Sequence, residues 1–139
     1  MINHGDTEGT ENFQELDPRL TQLSGQVIGA AIEVHRVLGS GFLESVYEEA
    51  LCVELAVRGL SFSRHVKIAV RYKGHEIGDG RLDLLVENAL IVELKAVEEL
   101  SPIHTAQVIS YLKTTGHRLA LLINFNEPTL KSGIRRIAL

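Results

Sequence analysis

Three charged residues in the stretch 81–97 have side chains that can act together: Asp83, Glu93 and Lys95. Around them apolar residues recur with a period of two, which predicts two short strands joined by a three-residue loop at 87–89. In that arrangement Asp83 falls opposite Glu93, and Lys95 points to the same side of the sheet as Glu93. Carboxylates at directly opposed positions repel each other, because their Cβ atoms are only about 4.5–5.5 Å apart. A divalent cation bound between them would offset that repulsion.

An ordinary solvated sheet face would also explain these charges. Ion pairs between Lys95 and either acidic residue would contribute only about 0–1 kcal/mol at a surface. The second strand, LIVELKAV at 90–97, is nevertheless so apolar around its charges that it is predicted to be central in the sheet. Charges on a buried strand are costly unless they are paired or bind a metal. The stretch therefore favours a metal site.

The net charge of −4 is unevenly distributed along the 139 residues. Residues 1–18 carry no Lys or Arg and five acidic residues: Asp6, Glu8, Glu11, Glu15 and Asp17. This polar segment is predicted to be a mobile acidic arm that ends at Pro18, followed by a single domain at 19–139. The remaining 13 acidic residues and the 14 Lys and Arg residues leave that domain at +1. A nearly neutral domain has no strong electrostatic footprint for nucleic acid, and it does not exclude binding.

The cysteine count and the hydropathy indicate a cytoplasmic protein without a membrane segment. Cys52 is the single cysteine, which rules out an internal disulfide and fits a reducing compartment. It lies in a helical pattern and is expected to be buried packing. No signal peptide is visible at the N-terminus, and no stretch approaches the roughly 18 apolar residues that span a bilayer.

Hydrophobic periodicity predicts helices that cover a sheet. Helices are expected at 20–38, 43–58 and 102–115, and strands at 62–72, 76–86, 90–97 and 119–125. The segment 134–139 fits either a last strand or a turn of helix. Leu82, Leu84 and Val86 are expected to share the core face of their strand. The order ααβββαβ indicates an α/β or α+β fold, with a mixed central sheet flanked by helices.

Four more polar residues have both a structural and a functional explanation. Glu44 follows Gly41 in the first turn of the second helix, where an acid favours the helix dipole by about 0.3–1 kcal/mol. It is equally a further carboxylate that could face a metal. Gln107 and Tyr111 are four residues apart and share one face of the third helix, as a polar edge or as part of a site. His104 could join that face, or it is a surface or capping residue.

Two motifs resemble those of a known protein family. The segment 41–47, GFLESVY, fits the G-x-x-E-x-x-Y motif that names the GxxExxY protein family. Asp83 followed by ELK at 93–95 fits the D…E-x-K core of the PD-(D/E)xK nuclease superfamily, to which that family belongs. The resemblance extends over residues 20–137.

Two later segments add to the resemblance, and one position departs from it. The segment 107–111, QVISY, is similar to the Q-x-x-x-Y element of RecB-type nucleases. The segment 121–125, LLINF, resembles the late strand of the family. The proline of the superfamily's name is missing, because Gly80-Arg81-Leu82 precedes Asp83. That position varies widely in the superfamily.

The resemblance implies a restriction-endonuclease-like core with a Mg²⁺ or Mn²⁺ site. Asp83 and Glu93, with the Leu94 backbone carbonyl, would hold the cation through hard oxygen ligands. Glu44 would complete the site directly or through water. Lys95 would orient or help deprotonate the attacking water, or would stabilise the phosphate in the transition state.

The resemblance also implies a supporting role for four residues. Gln107 and Tyr111 would contact a phosphate or position the water. Tyr47, three residues after Glu44, would pack under the site or hold the carboxylate with a hydrogen bond. Gly41, which begins the motif, is counted among these supporting residues.

Two classes of function remain open. The first is a metal-dependent nuclease that cuts DNA, with RNA as the second choice. The second is a binding or assembly module that keeps the fold without turnover and recognises nucleic acid or a protein. Hydrolysis of another phosphoester is a weaker third. Since one small domain offers little room for a DNA groove, we expect a homodimer, formed through the third helix or an open sheet edge.

Overall fold

The structure is a computed structural model that describes residues 16–139. The helices are α1 (Pro18–Leu38), α2 (Glu44–Val57) and α3 (Pro102–Thr115), and the strands are β1 (Phe62–Tyr72), β2 (His75–Val86), β3 (Leu90–Lys95), β4 (Leu119–Asn124) and β5 (Ile134–Ala138). A short 3-10 helix, Leu130–Gly133, precedes β5. The predicted mixed α/β architecture is confirmed, and the last segment is a strand. No helix in this part of the chain is long and apolar enough to cross a membrane.

The described domain begins earlier than the predicted boundary at residue 19. Leu16 is buried against the core. Asp17 caps α1, because its carboxylate accepts a hydrogen bond from the Arg19 N–H at 2.9 Å. Pro18 takes the first helical position, where the backbone N–H that proline lacks would have no acceptor within the helix. The rest of the predicted arm, residues 1–15, lies outside the described residues.

The sheet has the order β1-β2-β3-β4-β5, and only β3 and β4 are parallel within it. A parallel pair requires a crossover connection, which α3 supplies. Helices α1 and α2 pack on one face of the sheet, over the larger apolar cluster. Helix α3 covers the other face through Val108 and Leu112. Strand β3 is central, as predicted, and is buried from Leu90 to Leu94.

At one irregular position of the β1–β2 pair, the inward side chains of β2 switch from one face of the sheet to the other. Their pairing keeps one register over residues 62–70 but omits the pair of His65 and Asp83. His65 has a φ of 54°, in the left-handed region that non-glycine residues rarely adopt. Beyond this interruption Leu82 packs on the α3 side, whereas Leu84 packs on the side of α1 and α2. The expectation that Leu82, Leu84 and Val86 share one face is therefore wrong for Leu82.

Cys52 is buried within α2, as the helical pattern predicted. Its thiol has a raised pKa, chiefly because burial disfavours the thiolate. Cys52 therefore serves as packing, since a reactive cysteine requires an accessible thiolate.

Candidate active site

The side chains of Asp83 and Glu93 join β2 to β3 where the backbone pairing ends. That pairing runs from Val86↔Leu90 to Leu84↔Val92. One residue further, the Asp83 N–H donates to Glu93 Oε2 at 2.8 Å, and the Leu94 N–H donates to Asp83 Oδ2 at 2.9 Å. The predicted opposition of Asp83 and Glu93 is therefore confirmed, and each carboxyl group takes the place of a backbone acceptor.

Burial disfavours the state in which both carboxyl groups of this pair are ionised. Glu93 is only 3% exposed, and desolvation, together with the charge of Asp83, raises the pKa of Glu93 to about 8. Burial also raises the pKa of Asp83, although the hydrogen bond from Leu94 acts in the opposite direction. Without a bound cation, the pair therefore keeps a proton at neutral pH.

Lys95 ends β3 beside the carboxyl pair and is partly buried. Its positive charge lowers the pKa of both Asp83 and Glu93. Its ammonium group makes no salt bridge with any residue of the described chain. A compact cation that is free of a partner can interact with a substrate phosphate.

Two backbone anchors fix the end of β3. The Lys95 carbonyl accepts a hydrogen bond from the Phe125 N–H at 2.8 Å. The fully buried Asn124 side chain accepts from the Val97 N–H at 3.0 Å and donates to the Val97 carbonyl at 2.9 Å. The backbone at Lys95 and at Val97 is thus held to the end of β4. Sequence reasoning did not predict this role for Asn124.

Helix α3 packs Tyr111 against β2 at Gly80 and Arg81, near enough to the carboxyl pair for its charges to act on the hydroxyl. Its pKa is raised by burial first, and then by the negative charges of Glu93 and Asp83. A Cβ at Gly80 would lie 3.2 Å from the Tyr111 ring, so that this glycine leaves room for the ring. Gln107, one turn earlier on the same helix face, is exposed.

His104 caps α3 and does not extend that face. Its Nδ1 accepts a hydrogen bond from the Ser101 N–H at 3.0 Å, which completes a capping box with the Ser101 side chain. The capping interpretation of His104 is confirmed.

Glu48, and not Glu44, is the α2 residue whose negative charge acts on Asp83. Glu44 is exposed in the first turn of α2. Within residues 16–139, no three His, Cys, Asp or Glu side chains come together as a set that could hold a metal ion. The structure therefore does not bring Glu44 together with Asp83 and Glu93, and a role for it through water stays a prediction.

Sequence reasoning missed Glu48, although one signal pointed to it. Glu48 follows Tyr47 directly, on the side of α2 that is buried. A carboxylate on a buried helix face needs a partner, and Glu48 is paired with Arg64 and His65.

Tyr47 holds the turn between α1 and α2. Its hydroxyl donates to the Gly39 carbonyl at 2.6 Å and accepts from the Phe42 N–H at 3.2 Å. Its ring stacks on Phe125, with the ring centroids 4.6 Å apart. The predicted hydrogen bond to a carboxylate is therefore wrong, because the hydroxyl is engaged by the turn. Gly41 has a φ of 113° in the same turn, a value that favours glycine.

Replacing Tyr47 by Phe is expected to lower the free energy of unfolding by about 1–3 kcal/mol, since the Gly39 carbonyl and the Phe42 N–H would lose their partner. The carboxyl pair should be unaffected, because the Tyr47 hydroxyl bonds Gly39 and Phe42 instead. Urea unfolding measures the loss of stability. Tyr72→Phe, at a residue 60% exposed, is the matched control and should leave stability unaltered. A free energy of unfolding that is unchanged in Tyr47→Phe would contradict this role.

The oxygen donors at β2 and β3 fit a hard divalent cation. The two hydrogen bonds occupy Asp83 Oδ2 and Glu93 Oε2, so the second oxygen of each carboxyl group is not used in them. Mg²⁺ is commonly held by one or two carboxylates and several waters, which matches a pair without a third acidic side chain. A cation would also favour the ionised carboxylate of Glu93, and so oppose the effect of burial and of the Asp83 charge on its pKa.

Comparison with known proteins gives a family match over most of the chain. The family model of the PD-(D/E)XK nuclease superfamily matches residues 21–137, which contain Asp83, Glu93 and Lys95. No curated protein and no solved structure matches the chain. The superfamily resemblance of the motifs is thereby confirmed, and the narrower GxxExxY family stays a prediction.

Proposed function

Because the chain belongs to the PD-(D/E)XK nuclease superfamily, we propose that it is a metal-dependent nuclease that hydrolyses phosphodiester bonds in DNA. The observation that carries the proposal is the pair of the half-buried Asp83 and the buried Glu93, with Lys95 two residues further along β3. Two carboxyl groups held against each other at the core lower the stability of the fold. Perturbed carboxyl groups of this kind cluster at functional sites. Binding a cation is the use that their oxygen donors fit.

Asp83, Glu93 and the Leu94 carbonyl would hold Mg²⁺ or Mn²⁺. When bound, the cation would lower the pKa of water and neutralise charge on the phosphodiester. The hydrogen bonds between β2 and β3 keep both carboxyl groups in place before the cation arrives, so little reorganisation is needed on binding.

Lys95 would stabilise the negative charge that builds on the phosphate, or orient the attacking water. Its partial burial strengthens this electrostatic effect relative to a solvated lysine. The anchoring of its backbone to β4 supports the role, because a preorganised charge need not be ordered at the moment of reaction.

Three further residues are proposed to support the reaction. Tyr111, beside the carboxyl pair, would contact the phosphate or position the water. Gln107 would contact the nucleic acid from the exposed part of the same helix face. Glu44 would act only through water, since it is not among the residues gathered at the pair.

The assembly and the location are proposals as well. A homodimer would widen the surface available to nucleic acid, through α3 or through β1 or β5, which are the outer strands of the sheet. A cytoplasmic location agrees with Cys52 as a free, buried thiol.

A plasmid-cleavage assay with Mg²⁺ or Mn²⁺ tests the proposal, with EDTA as the first control. Lys95→Ala is expected to lower the cleavage rate by about 10²–10³-fold, as for other preorganised groups that stabilise transition-state charge. Its affinity for Mn²⁺ in calorimetry should be kept or increased. Lys113→Ala, on the exposed surface of α3, should cleave like the wild type. Cleavage that persists in EDTA, or in Lys95→Ala at full rate, would refute the mechanism.

One observation favours the alternative, a binding module without turnover. Asp83 and Glu93 already join β2 to β3 through backbone hydrogen bonds, so they contribute structure without any reaction. The wild type would then bind DNA without cleaving it, and Lys95→Ala would bind equally well. The same assay, followed by a mobility-shift measurement, separates the two functions.

A further inference from the structure

An ion-pair cluster joins helix α2 to strand β1 close to the carboxyl pair. Glu48 Oε2 lies 2.7 Å from Arg64 Nη2 and 2.7 Å from His65 Nε2. Glu48 is 8% exposed, whereas the side chains of Arg64 and His65 are 34% and 42% exposed. The neighbouring Glu49 is exposed and bonds Arg64 at 2.7 Å. Glu48 thus binds both basic residues, whereas Glu49 binds only the arginine.

His65 occupies an irregular position of β1. It lies across from Asp83, at the pair that the register of β1 and β2 omits, and its φ is 54°. A non-glycine residue keeps such a backbone conformation only where the surrounding structure holds it. The 2.7 Å contact of Glu48 Oε2 with His65 Nε2 reaches this position from the neighbouring helix.

At this interruption Asp83 is turned away from β1 and towards β3. Asp83 leaves the ladder with β1, and its N–H bonds Glu93 Oε2 on the opposite side. Its own carboxyl group accepts from the Leu94 N–H. The proximity of Glu48 also has an electrostatic effect, because its negative charge contributes to the raised pKa of Asp83.

We propose that Glu48 and His65 are positioning residues of the site: their contact holds the irregular turn of β1 that places Asp83 against Glu93. The inference rests on the proposed nuclease function, since it assigns a role in that reaction to residues that do not touch substrate. It goes beyond the motif residues, none of which lies on β1.

Three substitutions isolate this contact. In His65→Gly, the glycine adopts the positive φ readily, but the side-chain contact with Glu48 is removed. His65→Gln keeps a donor close to the position of Nε2 and should rescue the contact. Glu49→Gln is the matched control, because it weakens a bond to Arg64 without touching His65. All three should fold, and thermal unfolding checks this.

Two independent measurements report on the position of Asp83. His65→Gly is expected to lower kcat for DNA cleavage by at least about tenfold, the effect of losing a group that orients a ligand. Amide hydrogen exchange at Asp83 and Leu94 should accelerate by a similar factor, because their bonds depend on the orientation of Asp83. The Phe125 N–H, which bonds the Lys95 carbonyl, should be unchanged and serves as the internal reference. His65→Gln and Glu49→Gln should stay within about threefold of the wild type.

The possible results separate this inference from the nuclease function. If His65→Gly cleaves and exchanges like the wild type, the positioning role is overturned and the nuclease function stands. Equal losses in His65→Gly and His65→Gln also overturn it, since the bond would then not be the cause. If the wild type fails to cleave, the nuclease function falls. Amide exchange then decides alone: acceleration in His65→Gly supports the placement of Asp83 by His65, and unchanged exchange refutes it.

Discussion

Asp83→Asn is expected to slow metal-dependent DNA cleavage by at least about 10³-fold while leaving the fold as stable as the wild type. The side-chain oxygen of Asn still accepts the hydrogen bond from the Leu94 N–H, so the join between β2 and β3 is kept. The negative charge is lost, and with it a proposed ligand of the cation. A cation contributes several kcal/mol of charge stabilisation, and each 1.36 kcal/mol is tenfold in rate.

Stability distinguishes this result from simple unfolding. The charge of Asp83 helps to raise the pKa of Glu93, so its removal relieves repulsion in the free protein. The free energy of unfolding of Asp83→Asn near pH 8 should therefore equal or exceed that of the wild type without metal. Asp79→Asn, at an exposed residue of the same strand, is the matched control and should leave rate and stability unaltered. Full activity in Asp83→Asn would overturn the assignment of this residue as a ligand.

Without divalent cations, the protein is expected to lose stability as the pH rises from about 5 to about 9. The pKa of Glu93 is raised from 4.5 to about 8 in the folded protein. Between these values the folded state holds a proton that the unfolded state releases. The stabilisation is complete below pH 4.5 and is lost as the pH rises through 8. The loss is at most about 5 kcal/mol, since one proton contributes at most about 1.4 kcal/mol per pH unit between 4.5 and about 8.

Urea unfolding in EDTA at a series of pH values measures this slope. Glu93→Gln keeps an acceptor for the Asp83 N–H but carries no charge, and it should flatten the pH dependence. Glu99→Gln, at an exposed residue after β3, is the control and should retain the slope of the wild type. Added Mn²⁺ should restore stability at high pH by binding the ionised pair. Stability that is constant or rising over this range would show that Glu93 is ionised at neutral pH.

Contiguous features of the chain were predictable because local rules govern them. The three-residue loop at 87–89 and the alternation on each side set the register that opposes Asp83 and Glu93. The end of α3 was equally predictable, since Gly116 adopts a positive φ of 79° after Thr115.

The role of Tyr47 shows where a motif stops being informative. The spacing in the segment 41–47 does not determine whether the hydroxyl points to a carboxylate or to the turn before it. The closure of the turn at Gly39 and the stacking on Phe125 decide this, and Phe125 is distant in sequence. Such contacts depend on the packing of α2 over the sheet.

The sequence by itself therefore determined the pieces: the carboxyl pair, the lysine beside it, and the helices and strands that carry them. Period and loop length act over a few neighbouring residues, and they suffice for these features. Only the tertiary structure decided that Glu48 and not Glu44 acts on Asp83, and that β1 is interrupted at His65. These outcomes depend on how α2 lies against β1, which is set by the burial of side chains far apart in the chain.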